Sequence, residues 1–71
     1  MNLVSTTQTA KASFFKNNRR RPLHRCYPRE LAEQILNTPN DVFLTVQFMK
    51  TYNGLMATSV KIGINEGGGN V

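Results

Sequence analysis

The side chains of this sequence best suited to chemistry are its arginines and lysines, most of which lie near the N-terminus. Seven of the nine basic residues fall within residues 1–29, and all four acidic residues come after them. Guanidinium groups neutralise phosphates, release their counterions and pair with phosphate oxygens or guanine edges. The candidate phosphate-binding residues are Lys16, Arg19, Arg20, Arg21, Arg25 and Arg29. This segment predicts binding to a polyanion.

Aromatic and amide side chains accompany the basic segment. Phe15 and Tyr27, with Phe14 as a further candidate, have rings that could stack on unpaired bases. Asn17 and Asn18 could read base edges. Nucleic acid, either DNA or RNA, is therefore the expected partner, and an acidic protein is the second. Five phosphate contacts would give a log–log salt slope of roughly −3.5 to −4.5.

The remaining reactive side chains do not match a catalytic or metal site. His24 and Cys26 offer two zinc ligands, whereas a structural zinc site uses four. Arg25 gives Cys26 a positive surrounding, but so polar a segment offers neither a packed base nor an oxyanion hole. Glu30 and Glu33 lie one helical turn apart, as residues on the solvent face of a helix do. We therefore expect no enzymatic activity, no metal and no cofactor.

Composition also bears on location. The single cysteine, Cys26, excludes an internal disulfide and fits a reducing compartment, so we expect a cytoplasmic protein. No stretch approaches the roughly 20 apolar residues of a membrane span, and we expect no membrane partner. Residues 1–29 lack acidic residues and are rich in Ser and Thr, which leaves a mitochondrial transit peptide as an alternative.

A short helix is predicted over residues 28–36. Pro28 suits the first helical turn, and Glu30 follows it where the helix dipole favours negative charge. Leu31 and Ile35 share one apolar face of this helix. Because a helix of about nine residues is unstable alone, it must dock on another element.

That other element is predicted to be a β-hairpin. The runs 42–49 and 55–64 are rich in β-branched and aromatic residues, and a turn sequence separates them. We expect a three-residue loop at residues 52–54, with Gly54 in the left-handed conformation of a bulge.

The loop length sets the register of the hairpin. A three-residue loop places Val46 opposite Val60, whereas a two-residue turn at Asn53 and Gly54 would place Val46 opposite Lys61. The second register divides the apolar residues between the two faces, so burial favours the first. The expected apolar face consists of Val42, Leu44, Val46, Phe48, Val60, Ile62 and Ile64, and the opposite face includes Leu55 and Ala57.

The predicted fold class is α+β, with one short helix packed on an antiparallel β-hairpin and a possible third strand from residues 10–16. Residues 1–26 are expected to be a largely flexible basic arm, residues 27–64 the helix-plus-hairpin unit, and residues 65–71 a flexible tail. Because a fold with so few elements is only marginally stable, the sheet edge could also pair with a second copy in a homodimer.

These features together predict a small basic nucleic-acid-binding regulatory protein that grips phosphates with an Arg-rich arm. In a related hypothesis the sheet enters a major groove as a β-ribbon. The residues that would read the groove are Thr45, Gln47, Ser59 and Lys61. The alternative function is a small regulatory or inhibitory protein that docks on another protein through its sheet face or edge.

Overall fold

A computed structural model describes residues 5–64, which form three strands and three short helices. In chain order these are β1 (Ser5–Lys11), α1 (Ala12–Lys16), α2 (Leu23–Cys26), α3 (Arg29–Leu36), β2 (Phe43–Thr51) and β3 (Gly54–Ile62). The predicted α+β class is confirmed. The predicted tail, residues 65–71, lies outside the described residues. Within residues 5–64, no helix has both the length and the apolar character needed to cross a bilayer.

From residue 5 onward the N-terminal segment is folded, in contrast to the flexible arm predicted over residues 1–26. β1 pairs antiparallel with β2 along its whole length, so the strand order in the sheet is β1-β2-β3. The third strand therefore begins before the one considered at residues 10–16, most of which form α1. Threonines favour extended structure in β1, and Thr9 Oγ1 lies 3.0 Å from Thr45 Oγ1 on the neighbouring strand.

β2 and β3 pair in the predicted register, with Val46 opposite Val60. The loop is shorter than expected, because Thr51 pairs with Gly54 and only residues 52 and 53 lie between them. Gly54 has the predicted positive φ, at 115°. A glycine suits this position because L side chains are strained there.

The bulge of the hairpin lies in β3 and not in the loop. Gln47 pairs with Ser59, whereas the next residue of β2, Phe48, pairs with Ala57. Thr58 is therefore the extra residue, and it reverses the in-and-out alternation of β3. This reversal compensates for the short loop and preserves the register of the apolar pairs.

The core lies on one face of the sheet, beneath α1 and α3. Its largest fully buried side chains are Phe15, Phe48, Ile35, Leu44 and Val46. Ala12 and Phe15 are three residues apart and form the buried face of α1, while Ile35 is the buried residue of α3. The structure thus places two helices over the core, and burial of this apolar surface is the main term that stabilises it.

The predicted apolar face is only partly buried. Ile62 is 66% exposed and Ile64 is 61% exposed, at the end of the hairpin ladder. Ala57 belongs to the buried cluster and Leu55 packs against it, although both were expected on the opposite face. The bulge at Thr58 is the physical reason, because it turns the first half of β3 towards the core.

The helix-free face of the sheet is largely polar. Thr45 Oγ1 donates to Gly63 O at 2.8 Å, and Ser59 Oγ donates to Gln47 Oε1 at 3.4 Å. Two basic residues, Lys11 and Lys61, lie on this face by strand alternation. The candidate β-ribbon residues therefore occur together, around a depression of only about 80 Å³.

Candidate nucleic-acid interface

The arginine-rich segment forms a shaped loop between α1 and α2. Asn18 Oδ1 accepts hydrogen bonds from the backbone N–H groups of Arg20, at 2.9 Å, and Arg21, at 3.2 Å. An asparagine side chain commonly fixes a turn in this way. Asn17 Nδ2 donates to Ser13 O at 3.0 Å, at the C-terminal end of α1. The two asparagines predicted to read bases therefore help to shape the loop that carries the arginines.

An open groove of about 610 Å³ lies beside this loop, and we call it the Phe14 groove. It is lined by Gln8, Ser13, Phe14, Asn17, Asn18, Arg19, Arg20 and Arg21. The Phe14 ring is 44% exposed and meets the Phe15 ring edge-on, with the centroids 5.4 Å apart. Since none of the lining residues is acidic, their net charge favours an anionic ligand.

A second cavity of about 240 Å³, the hairpin-tip cavity, borders the same loop. Arg20 and Arg21 line both the Phe14 groove and this cavity. The other lining residues are Arg25, Cys26, Asn53, Gly54 and Leu55. The Arg21 guanidinium lies 5.6 Å from the centroid of the buried Phe48 ring. This cation–π contact fastens the loop to the core.

The two predicted stacking residues, Phe15 and Tyr27, are buried and cannot reach a base. Phe15 is 1% exposed and Tyr27 is 5% exposed. The Tyr27 ring packs edge-on against Phe48, with the centroids 5.6 Å apart. Because adjacent helical residues point in different directions, burial of Phe15 leaves Phe14 facing outward. Phe14 is therefore the aromatic residue of the groove, and the spacing of Ala12 and Phe15 is the sequence signal for it.

The Tyr27 hydroxyl belongs to the protein interior. It is buried and has no hydrogen-bond partner among the described residues. Burial raises the pKa of Tyr27 from 10.0 to about 12, with a smaller contribution from Cys26 and an opposing one from Arg21. The cause is loss of hydration, which disfavours the phenolate. Leaving such a group unpaired costs about 1–3 kcal/mol of stability.

Two of the predicted cations, Lys16 and Arg29, line neither the Phe14 groove nor the hairpin-tip cavity. Lys16 Nζ donates to Thr38 O at 2.8 Å and to Asn40 Oδ1 at 2.7 Å, which ties α1 to the segment between α3 and β2. Arg29, exposed at the start of α3, lines a separate cavity that also contains Glu33. The predicted cations that the structure brings together are Arg19, Arg20, Arg21 and Arg25.

The possible metal ligands gain no further partners. His24 is exposed and Cys26 is half-buried, and both belong to α2. Within residues 5–64, no group of three or more His, Cys, Asp or Glu residues could hold a metal ion.

Comparison with known proteins adds no functional assignment. No protein-family model matches the chain, and no curated protein or solved structure matches it either. The chemistry of the interface therefore rests on its own residues. These are an exposed ring, a cluster of arginines and the hydrogen-bonded loop that holds them.

Proposed function

We propose that this chain is a small basic regulatory protein that binds nucleic acid through the Phe14 groove and the adjoining arginines. The observation that carries the proposal is the exposed Phe14 ring among Arg19, Arg20 and Arg21. Aromatic rings stack on bases, while arginines contact the phosphates between them. We place this activity in the cytoplasm, where the free thiol of Cys26 would stay reduced.

The number of arginines in the interface sets the expected dependence of binding on salt concentration. The chain carries a formal charge of +5. Four arginines (Arg19, Arg20, Arg21 and Arg25) line the two cavities, which share Arg20 and Arg21. At about −0.7 per contact, four phosphate contacts give a salt slope of roughly −2.8 on a single strand. This is shallower than the five-contact expectation because Lys16 is engaged with Thr38 and Asn40.

The shape of the loop supports binding as well as its charge. The hydrogen bonds that Asn18 Oδ1 accepts hold the backbone at Arg20 and Arg21, and the contact with Phe48 holds the Arg21 side chain. A surface that is ordered before binding loses less conformational entropy on association. The grip on phosphate thus comes from a shaped loop instead of a flexible arm.

Fluorescence anisotropy tests the proposal. Labelled 20-mers of single-stranded DNA, single-stranded RNA and duplex DNA are titrated with the full chain between 50 and 200 mM salt. The test variant is R19Q/R20Q, which removes two charges from the groove. The matched control is K11Q/K61Q, which removes two charges from the helix-free face of the sheet.

We expect the R19Q/R20Q variant to bind more weakly and to flatten the single-strand salt slope by roughly 1.4. The control should keep most of the wild-type slope. An equal loss of affinity in the two variants would contradict binding in the groove. It would indicate that binding depends on charge spread over the whole surface. No binding by the wild-type chain to any of the three probes would overturn the proposal. That result would favour the alternative, protein docking through the sheet face or edge.

A further inference from the structure

Tyr52 is the most exposed large hydrophobic side chain of the described residues, at 100%. It occupies the tip of the β2–β3 hairpin, in a turn held by its own hydrogen bonds. Thr51 Oγ1 donates to Gly54 O at 2.7 Å and accepts from the Asn53 N–H at 3.2 Å. An ordered turn therefore presents an aromatic ring that makes no contribution to the core.

The hairpin tip adjoins the arginine loop. The two residues that follow Tyr52, Asn53 and Gly54, line the hairpin-tip cavity together with Arg20 and Arg21. Those two arginines also line the Phe14 groove. One positively charged surface therefore connects the groove to the hairpin tip, with an exposed aromatic residue towards each end.

From this arrangement we infer that the ligand is a single-stranded nucleic acid, which runs from Phe14 across Arg20 and Arg21 to a second stacking site at Tyr52. The inference rests on the proposed function and specifies its substrate. A duplex keeps its bases stacked on one another, so exposed rings on the protein can only stack on unpaired bases. The phosphates between the two stacked bases contact the arginines, and these contacts do not depend on the base sequence.

A pair of conservative variants isolates the contribution of Tyr52. Y52F keeps the ring, and Y52L removes it but remains apolar. The control F43L removes an exposed ring (39% exposed) from the helix-free face of the sheet. Each variant is titrated by anisotropy with a labelled oligothymidine 15-mer and with a 15-base-pair duplex, and far-UV circular dichroism verifies that each is folded.

We expect the wild-type chain to bind oligothymidine more tightly than the duplex. Y52L should weaken oligothymidine binding by roughly 5- to 150-fold, while Y52F and F43L retain it. Wild-type affinity in Y52L would overturn the path to the hairpin tip. The proposed function would survive that result if R19Q/R20Q still loses affinity. Tighter binding to the duplex would overturn the single-strand assignment. No binding to oligothymidine, to the duplex or to a single-stranded RNA of the same length would overturn the proposed function as well.

Discussion

The two neighbouring phenylalanines of α1 allow a matched test of which ring belongs to the interface. Phe14 is 44% exposed and lines the groove, whereas Phe15 is 1% exposed in the core. F15L shrinks a fully buried ring and should cost about 1–2 kcal/mol of stability. F14L removes a half-exposed ring and should cost less than about 1 kcal/mol, including its edge contact with Phe15. At 71 residues, the chain should have roughly 4–11 kcal/mol of total stability, so both variants remain folded.

The two substitutions should affect binding affinity in the opposite order. F14L loses a stacking platform and should bind oligothymidine roughly 5- to 150-fold more weakly. F15L should bind as the wild-type chain does. Urea denaturation measures the stabilities, and anisotropy at fixed salt measures the affinities. The reasoning would be refuted if F14L kept wild-type affinity, or if F15L lost as much affinity as F14L while still folded.

Three further predictions concern the structure that supports the interface. Folding keeps the Tyr27 hydroxyl protonated up to about pH 12, whereas an unfolded tyrosine ionises near pH 10. Ionisation of Tyr27 therefore leaves the free energy of unfolding unchanged below pH 10 and lowers it by up to about 3 kcal/mol as the pH rises to 12. Urea denaturation should show a smaller fall in Y27F. G54A should cost about 1–2 kcal/mol through its positive φ alone, since its Cβ meets nothing within 4 Å, and a lowered urea midpoint would show this. N18A should speed amide exchange at Arg20 and Arg21 and weaken oligonucleotide binding; unchanged exchange would contradict the role of its side chain.

The elements with strong local patterns were the ones that the sequence could predict. The helix expected at residues 28–36 is present as Arg29–Leu36, because its proline start and apolar spacing are local features. The pairing of Val46 with Val60 was also predicted, since only that register gathers the apolar residues on one face. The predicted position of the bulge was wrong. Its signal was the three-residue step from Ala57 to Val60, which interrupts the alternation of β3.

The secondary structure of the N-terminal segment could not be predicted from local sequence patterns. Residues 5–16 show no sustained period, and a five-residue helix has little stability of its own. α1 exists because the sheet offers a surface for Ala12 and Phe15. That tertiary contact decides which of two adjacent phenylalanines is buried, and local propensity does not. For the same reason the sequence could not show that Phe15 and Tyr27, two of the expected stacking residues, are buried while Phe14 is exposed.

We propose that the arginine loop and the rings beside it form a nucleic-acid interface on one side of the molecule. An NMR titration of the isotope-labelled chain with unlabelled oligothymidine 15-mer tests its location directly. We predict the largest amide shifts at Phe14, at residues 17–21 and at residues 52–54, with small shifts at Thr45 and Gln47 on the helix-free face. Shifts concentrated on that helix-free face, or no shifts at all, would contradict the account.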